Sequence, residues 1–313
     1  MTTHDDHGAQ DARKGLYASI AARLLWGGTA WYLARSRTPD AFELFHQRLF
    51  WAFAFCLALC AATGRLKGIG RYIDGRRALL VNASAALVIS TNWLTVFWCV
   101  KNGHLASASL GFFLAPMLTI MLGLALREEA FHTRLVGPVA LCLLGIVVIF
   151  VPKGGGLGWP VVLIAATSAA YALTRRRHPA EPLSGNLFET GAALIAWTAC
   201  AVLMGRPVNA AGGGADGVLY AMGIGVVTTV PMWLYVYSLK HVALSLNAYL
   251  QYISPTIMFL LSLTIFRETL DPLKLAGFAL IWASVALHLW NSHAHRTAKK
   301  ERAAGAVAKE AQA

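Results

Sequence analysis

The sequence predicts an all-α, polytopic membrane protein: ten transmembrane helices arranged as two inverted five-helix repeats. Three observations lead there: extreme apolarity, ten apolar runs of membrane-crossing length, and an internal similarity at constant spacing. Of 313 residues, 57% are hydrophobic and only 13% charged, with a mean hydropathy of +0.55. Soluble domains carry roughly 25% charged residues. This chain has too little polar surface to cover a soluble core, so a soluble enzyme is excluded. The net charge of +12 would point to nucleic acid in a soluble protein. Among apolar runs it instead marks cationic loops held on the cytoplasmic side, and no nucleic-acid partner is expected.

A helix needs about 20 apolar residues to cross the hydrocarbon core. The qualifying runs are 16–35, 42–62, 78–100, 105–126, 133–151, 157–174, 186–204, 217–239, 244–266 and 272–291. They are too long and too continuously apolar for barrel strands, which alternate over about ten residues. Segments 1–15 and 292–313 are polar, the second strongly basic, and read as irregular cytoplasmic tails. The run after Arg13 and Lys14 is too long for a signal peptide and reads as a retained first helix. With Arg35, Arg134 and Lys274 at span ends counted with the adjoining loops, 18 of the 27 Lys and Arg residues fall on the tails and the loops after spans 2, 4, 6 and 8, against 7 on the opposite side. Both termini are therefore expected in the cytoplasm.

The similarity pairs Lys101 with Lys240, Pro116 with Pro255 and Glu129 with Glu268, each 139 residues apart. A looser echo pairs Phe42-Glu43 with Phe188-Glu189. The repeats are 16–151 and 157–291, joined by a glycine-rich linker at 152–156. Five spans is an odd number, so the second copy enters the membrane upside down. Two inverted halves rocking about a shared site is the logic of a carrier. A membrane-embedded enzyme would need clustered His, Cys or Asp chemistry on facing helices, and no such arrangement appears; a channel or sensor is the other rival. The cysteines (Cys56, Cys60, Cys99, Cys142, Cys200) all lie in apolar runs and form no metal-ligand pattern. No metal or cofactor is expected. The Lys153-Gly154-Gly155-Gly156 stretch lacks the spacing of a phosphate loop, so transport would be secondary.

A charge inside a bilayer is costly and needs a partner or a wet cavity. The intramembrane ionisable groups are Arg23, Glu43, His46, Arg48, Glu189 and His288. Arg48 lies about 140° around its helix from Glu43, so it must seek another helix or a substrate carboxylate. Glu43 and Glu189 stand at repeat-related helix starts, where a carboxylate either caps the helix or accepts a proton during antiport. His46 is a further proton-responsive candidate. Polar stripes mark the cavity wall or interhelical bonds: Asn247, Gln251 and Ser254 in span 9, Asn92 beside Thr91 and Thr95 in span 3, Thr229 and Trp233 in span 8. Pro116 and Pro255 are expected to bend the two core helices at mid-membrane.

Two sets of residues resemble a known family. Ala106-Ser107-Ala108-Ser109-Leu110-Gly111, Pro116, Glu129, Gly137 and Gly145, recurring as Pro255, Glu268 and Gly277, resemble the EamA domain of the drug/metabolite transporter superfamily. Trp26-Gly27, Glu43 with His46 and Arg48, Trp51, Asn92-Trp93, Thr228-Thr229-Val230-Pro231, Gln251-Tyr252 and Pro255-Thr256 are similar to its RarD branch, associated by name with chloramphenicol sensitivity. The resemblance covers residues 15–290. It implies a ten-helix transporter of the inner or plasma membrane and does not fix the substrate; together with the repeat, the expectation is a secondary exporter of small organic metabolites or drugs. It also adds Trp26, Trp93 and Tyr252 to the cavity candidates. The expected partners are a small-molecule substrate and the lipid bilayer, with a homodimer also open. One departure stands out: Arg23 occupies a position where the family pattern usually has an aromatic residue. It either snorkels to the headgroups or gives the cavity a preference for negative charge.

Overall fold

The computed structural model describes residues 3–126, 136–150, 158–209, 214–242, 250–269, 272–273, 275–287 and 290–291. Glu129, Asn247, His288, the 152–156 linker and the 292–313 segment lie outside them. Among the described residues every regular element is a helix. In chain order these are α1 (Thr3–Ala34), α2 (Ala41–Ala62), a 3-10 turn (Arg65–Ile69), α3 (Gly70–Ile73), α4 (Arg76–Lys101), α5 (Leu105–Ala125) and α6 (Val136–Phe150). They continue with α7 (Trp159–Arg177), α8 (Pro182–Leu203), α9 (Gly214–His241), α10 (Ile253–Thr264) and α11 (Leu275–Leu287). Of these, α2, α4, α5, α8 and α9 are long and apolar enough to cross a membrane.

Several boundaries differ from expectation, each for a local reason. Helix α1 begins at Thr3, inside the stretch expected to be an irregular tail. That stretch holds no proline, and an Asp11–Lys14 pair at 3.8 Å spans one turn of it. Helix α8 begins at Pro182, with Glu181 as its N-cap accepting from the Ser184 amide at 2.7 Å. Pro116 lies inside α5 as expected. Pro255 instead falls in the first turn of α10, where its missing N–H leaves no bond unmade.

The compact units cut across the repeats. One comprises residues 1–119 and 159–269, the other 120–158 and 270–313. In the first, helices of one repeat pack chiefly on helices of the other: α1 on α9 and α10, α2 on α8 and α9, α4 on α7 and α8. Its core gathers Leu33, Leu44, Phe45, Leu49, Phe97, Leu105, Ile164 and Ile224. Phe45 meets Phe97 and Trp197 edge-on at 5.8 and 5.9 Å. Polar bonds cross between repeats as well. The Glu268 carboxylate accepts from the Leu105 and Ala106 amides at 2.6 and 3.0 Å, capping α5. Ser109 donates to the Pro255 carbonyl at 2.7 Å. A residue in the left-handed region, Arg267 at φ 51°, turns the chain after α10 just before Glu268.

In the second unit α6 and α11 cross closely. A Cβ on Gly145 would lie 2.8 Å from Ile281 and 3.0 Å from the Gly277 carbonyl, so both motif glycines serve this contact. Ser284 donates to the Pro138 carbonyl at 2.6 Å.

Small residues let membrane helices approach where no water-driven force presses them together. Gly225 of α9 shows how tightly: an added Cβ would lie 2.7 Å from the Trp51 carbonyl carbon and 2.9 Å from the Ala52 nitrogen of α2. Backbone cannot step aside, so Gly225→Ala is expected to cost about 1–3 kcal/mol. Gly28, with nothing within 4 Å of its would-be Cβ, is the control: Gly28→Ala should be neutral or stabilising by under about 1 kcal/mol. Thermal unfolding of the two purified variants checks this, and equal behaviour would contradict it.

Candidate functional site

A cavity of ≈ 380 Å³ lies within the larger unit, in the range of small-molecule sites. Its wall draws on both repeats: α1, α2, α4 and α5 from the first, α7, α8, α9 and α10 from the second. Apolar side chains such as Leu33, Leu49, Val96, Phe112 and Met258 form much of it, so the few polar groups carry the chemistry.

Two of those groups are arginines. Arg23 of α1 is 8% exposed. Its guanidinium sits over the Tyr235 and Trp26 rings, 4.3 and 5.1 Å from their centroids. The snorkelling expectation therefore does not hold: Arg23 is buried in the cavity wall rather than stretched toward a helix end. Arg48 of α2, also 8% exposed, lies 4.9 Å from the Trp93 ring. The aromatic faces stabilise the cations without neutralising them. Neither arginine forms an ion pair among the described residues, and the Nε of each, with Trp26 Nε1, is buried without a hydrogen-bond partner.

The third ionisable group, Glu189, is answered. Tyr171 donates to both its oxygens at 2.9 and 3.1 Å. Arg175 Nε donates to Glu189 Oε1 at 2.9 Å, with Nη2 on the same oxygen. Arg175 Nη1 reaches on to Asn82 Oδ1 at 2.7 Å. This knot ties α7, α8 and α4. It overturns the capping reading of Glu189: the helix starts seven residues earlier, at Pro182, and Glu181 does the capping. At that end Arg65 donates to Glu181 at 2.7 Å. Burial pushes the Glu181 carboxyl up, but bonds from the Ser184 hydroxyl and the Ser184 and Leu183 amides, with the Arg65 charge, outweigh it and hold it below the usual range.

Other sequence candidates divide cleanly. Asn92, Trp93, Gln251, Ser254, Pro116 and Pro255 all line the cavity. Asn92 also donates to the Ile164 carbonyl, Thr167 and Ser168 at 2.8–3.0 Å, and Ser254 to the Arg23 carbonyl at 2.8 Å, so both bind helices together as well. Glu43, His46, Thr229, Trp233 and Tyr252 do not line it. The Glu43 amide bonds to the Asp40 carboxylate at 2.8 Å, making Asp40 the cap. His46 Nε2 lies 2.8 Å from Thr198 Oγ1, joining α2 to α8. Trp233 stacks on Phe55 at 5.1 Å beside Cys56 and Cys60, and Tyr252 stacks on Phe113 at 5.9 Å. On α9 the cavity face is Thr228, Met232 and Tyr235 rather than Thr229 and Trp233. Asn247 lies outside the described residues.

Sequence reasoning missed Tyr171, Arg175, Asn82, Thr228 and Tyr235. In the sequence Arg175 follows the end of an apolar run and so groups with the loop cations. Its i, i+4 spacing from Tyr171 on a helix extended by one turn is the signal that marks it as inward-facing.

A bundle of apolar helices around a mostly apolar cavity that carries two buried arginines fits a multi-pass membrane transporter, and the relatives of the chain are of that class. The EamA-like transporter family model matches residues 156–290. Protein RarD of Salmonella typhimurium is 30% identical over 290 residues, covering 91% of this chain and 97% of the relative. An uncharacterized transporter of Pseudomonas aeruginosa is 29% identical over 283 residues, 90% of this chain and 94% of the relative. A chloramphenicol-sensitive RarD protein of the same organism is 23% identical over 283 residues, 89% and 94% of the two chains. A solved crystal structure shares the fold with a TM-score of 0.57 at 19% identity, covering 88% of this chain and 96% of that one. The chain belongs to the RarD type of EamA-like transporters.

Breaking a buried ion pair on one side leaves an uncompensated charge, at a cost of about 3–5 kcal/mol. Arg175→Met alone should lower stability by that order. The double variant Arg175→Met, Glu189→Leu should recover most of the loss. Thermal unfolding in detergent checks this, and equal losses in single and double variants would contradict the pairing.

Proposed function

We propose that this transporter is a secondary carrier that exports small organic molecules across the cytoplasmic membrane by alternating access, with both termini in the cytoplasm. One observation carries the reading: a single cavity is walled by the first four spans of both repeats. Two inverted halves about one site have two near-equivalent packings, each opening the site to a different side. The helix boundaries support the repeat: shifted by 139, α4 falls on α9 to within one residue at each end. The positive-inside bias supports the orientation.

Glu189 is the group we assign to proton coupling, because it is the carboxylate of the described cavity wall. Glu43 and His46 lie off the cavity in α2, the first in a capped turn and the second bonded to Thr198. A proton reaching Glu189 would weaken its hold on Arg175 and loosen α8 from α7 in step with substrate movement.

The test is flux in proteoliposomes, with substrate taken from metabolites that differ between deletion and overexpression strains. A carrier gives saturable, trans-stimulated flux; a pore gives neither. Glu189→Gln should abolish flux driven by a proton gradient while leaving exchange measurable. Unchanged concentrative transport in that variant would exclude the coupling role.

A further inference from the structure

We propose that the cavity is an anion site, and that the molecule it takes is an organic anion: a carboxylate, sulfonate or phosphate borne on an apolar, ring-containing body. This deepens the carrier reading and rests on the same cavity.

Charge supplies the first argument. Among the described residues lining the cavity, the ionisable side chains apart from tyrosine are Arg23, Arg48 and Glu189. Glu189 is bonded to Arg175 behind the wall and also attracts Arg48, so its one negative charge offsets one of three arginines. A net charge of two positives is left at a small chamber with low-dielectric walls, presented by Arg23 and Arg48. Arginine keeps its proton under any physiological condition, so neither charge is removed by titration. A cleft lined by one sign of charge focuses the field and concentrates the opposite ion.

Hydrogen-bonding polarity supplies the second. The buried wall atoms left without a partner are Arg23 Nε, Arg48 Nε and Trp26 Nε1. All three are N–H donors, and no buried side-chain acceptor of the described cavity wall is left unanswered beside them. Both arginines are more than nine-tenths buried. A buried donor without a partner costs free energy that a ligand acceptor recovers, and a carboxylate or phosphate offers the oxygens that guanidinium is shaped to hold. Shape agrees: Trp26, Trp93 and Tyr235 present rings beside the cations, so a flat apolar body can lie against the wall while its anionic end meets arginine. An amine or other cation would instead face two like charges.

The inference is testable without knowing the substrate, by measuring the potential inside the cavity. In full-length protein with its five cysteines replaced, Met232 on the cavity face of α9 is changed to Cys. Its rates of reaction with anionic methanethiosulfonate ethylsulfonate and cationic methanethiosulfonate ethyltrimethylammonium are compared with those of free 2-mercaptoethanol. Two nearby charges should shift the rate ratio toward the anionic reagent by about tenfold. Arg23→Gln and Arg48→Gln should each return part of that shift, and Arg23→Lys should keep it, which separates charge from misfolding. Indole-3-acetate should slow the reaction more than indole-3-acetamide. A ratio equal to that of the free thiol, a ratio favouring the cation, absence of reaction with either reagent, or protection by the amide equal to that by the acid would each overturn the proposal. Anion preference without flux in proteoliposomes would instead uphold this site and sink the carrier reading.

Discussion

Inside a bilayer no water waits to bond with a buried polar group, so each such group must be answered from elsewhere in the chain. That constraint organises this structure. The backbone answers itself by coiling into helices. The polar side chains answer across helices, and most of the bonds that matter run from one repeat to the other. Glu268 caps α5, Ser109 reaches the Pro255 carbonyl, Ser254 reaches the Arg23 carbonyl, and Asn92 holds α7 by three acceptors. Glu189 is satisfied by Tyr171 and Arg175 together. Within the larger compact unit these bonds join helices of the two copies, and that unit follows packing rather than sequence order.

With this rule obeyed so widely, the places where it is not obeyed carry meaning. Arg23, Trp26 and Arg48 present unanswered donors at the same chamber. Buried guanidinium without a carboxylate is unfavourable for stability, so the fold tolerates a cost there that a bound acceptor relieves. The aromatic rings under both cations lower that cost without removing it. His46 Nδ1 and Trp233 Nε1 are also unanswered, but they lie off the cavity.

Much of the fold was legible in the sequence because length and apolarity fix where a helix lies. The expected span 42–62 is α2 to within one residue, and 78–100 lies wholly inside α4. What hydropathy does not fix is which side of a helix faces inward. Helix α9 is apolar nearly all round, with Thr228 and Thr229 adjacent, so the pattern does not choose between them; the structure chose Thr228 and Tyr235. The apolar run places a helix start near Glu189, whereas the helix begins earlier through Pro182 and Ser184. Charge ends the apolar run at Arg175 and so suggests a loop there, yet the helix continues to Arg177. Arg23, Arg48, Asn92 and Gln251 were legible because a polar or charged group within an apolar span has few places to go.

The account's central claim is that one chamber, shared by two inverted copies, serves both sides of the membrane. Side-specific labelling tests it most directly: a cysteine at Thr228 or Ala172, both on the chamber wall, is exposed to an impermeant thiol reagent in right-side-out and in inside-out vesicles. The account predicts labelling from either face, with a cross-link that holds one face shut abolishing labelling from that face alone. Labelling from a single face under every condition would contradict it.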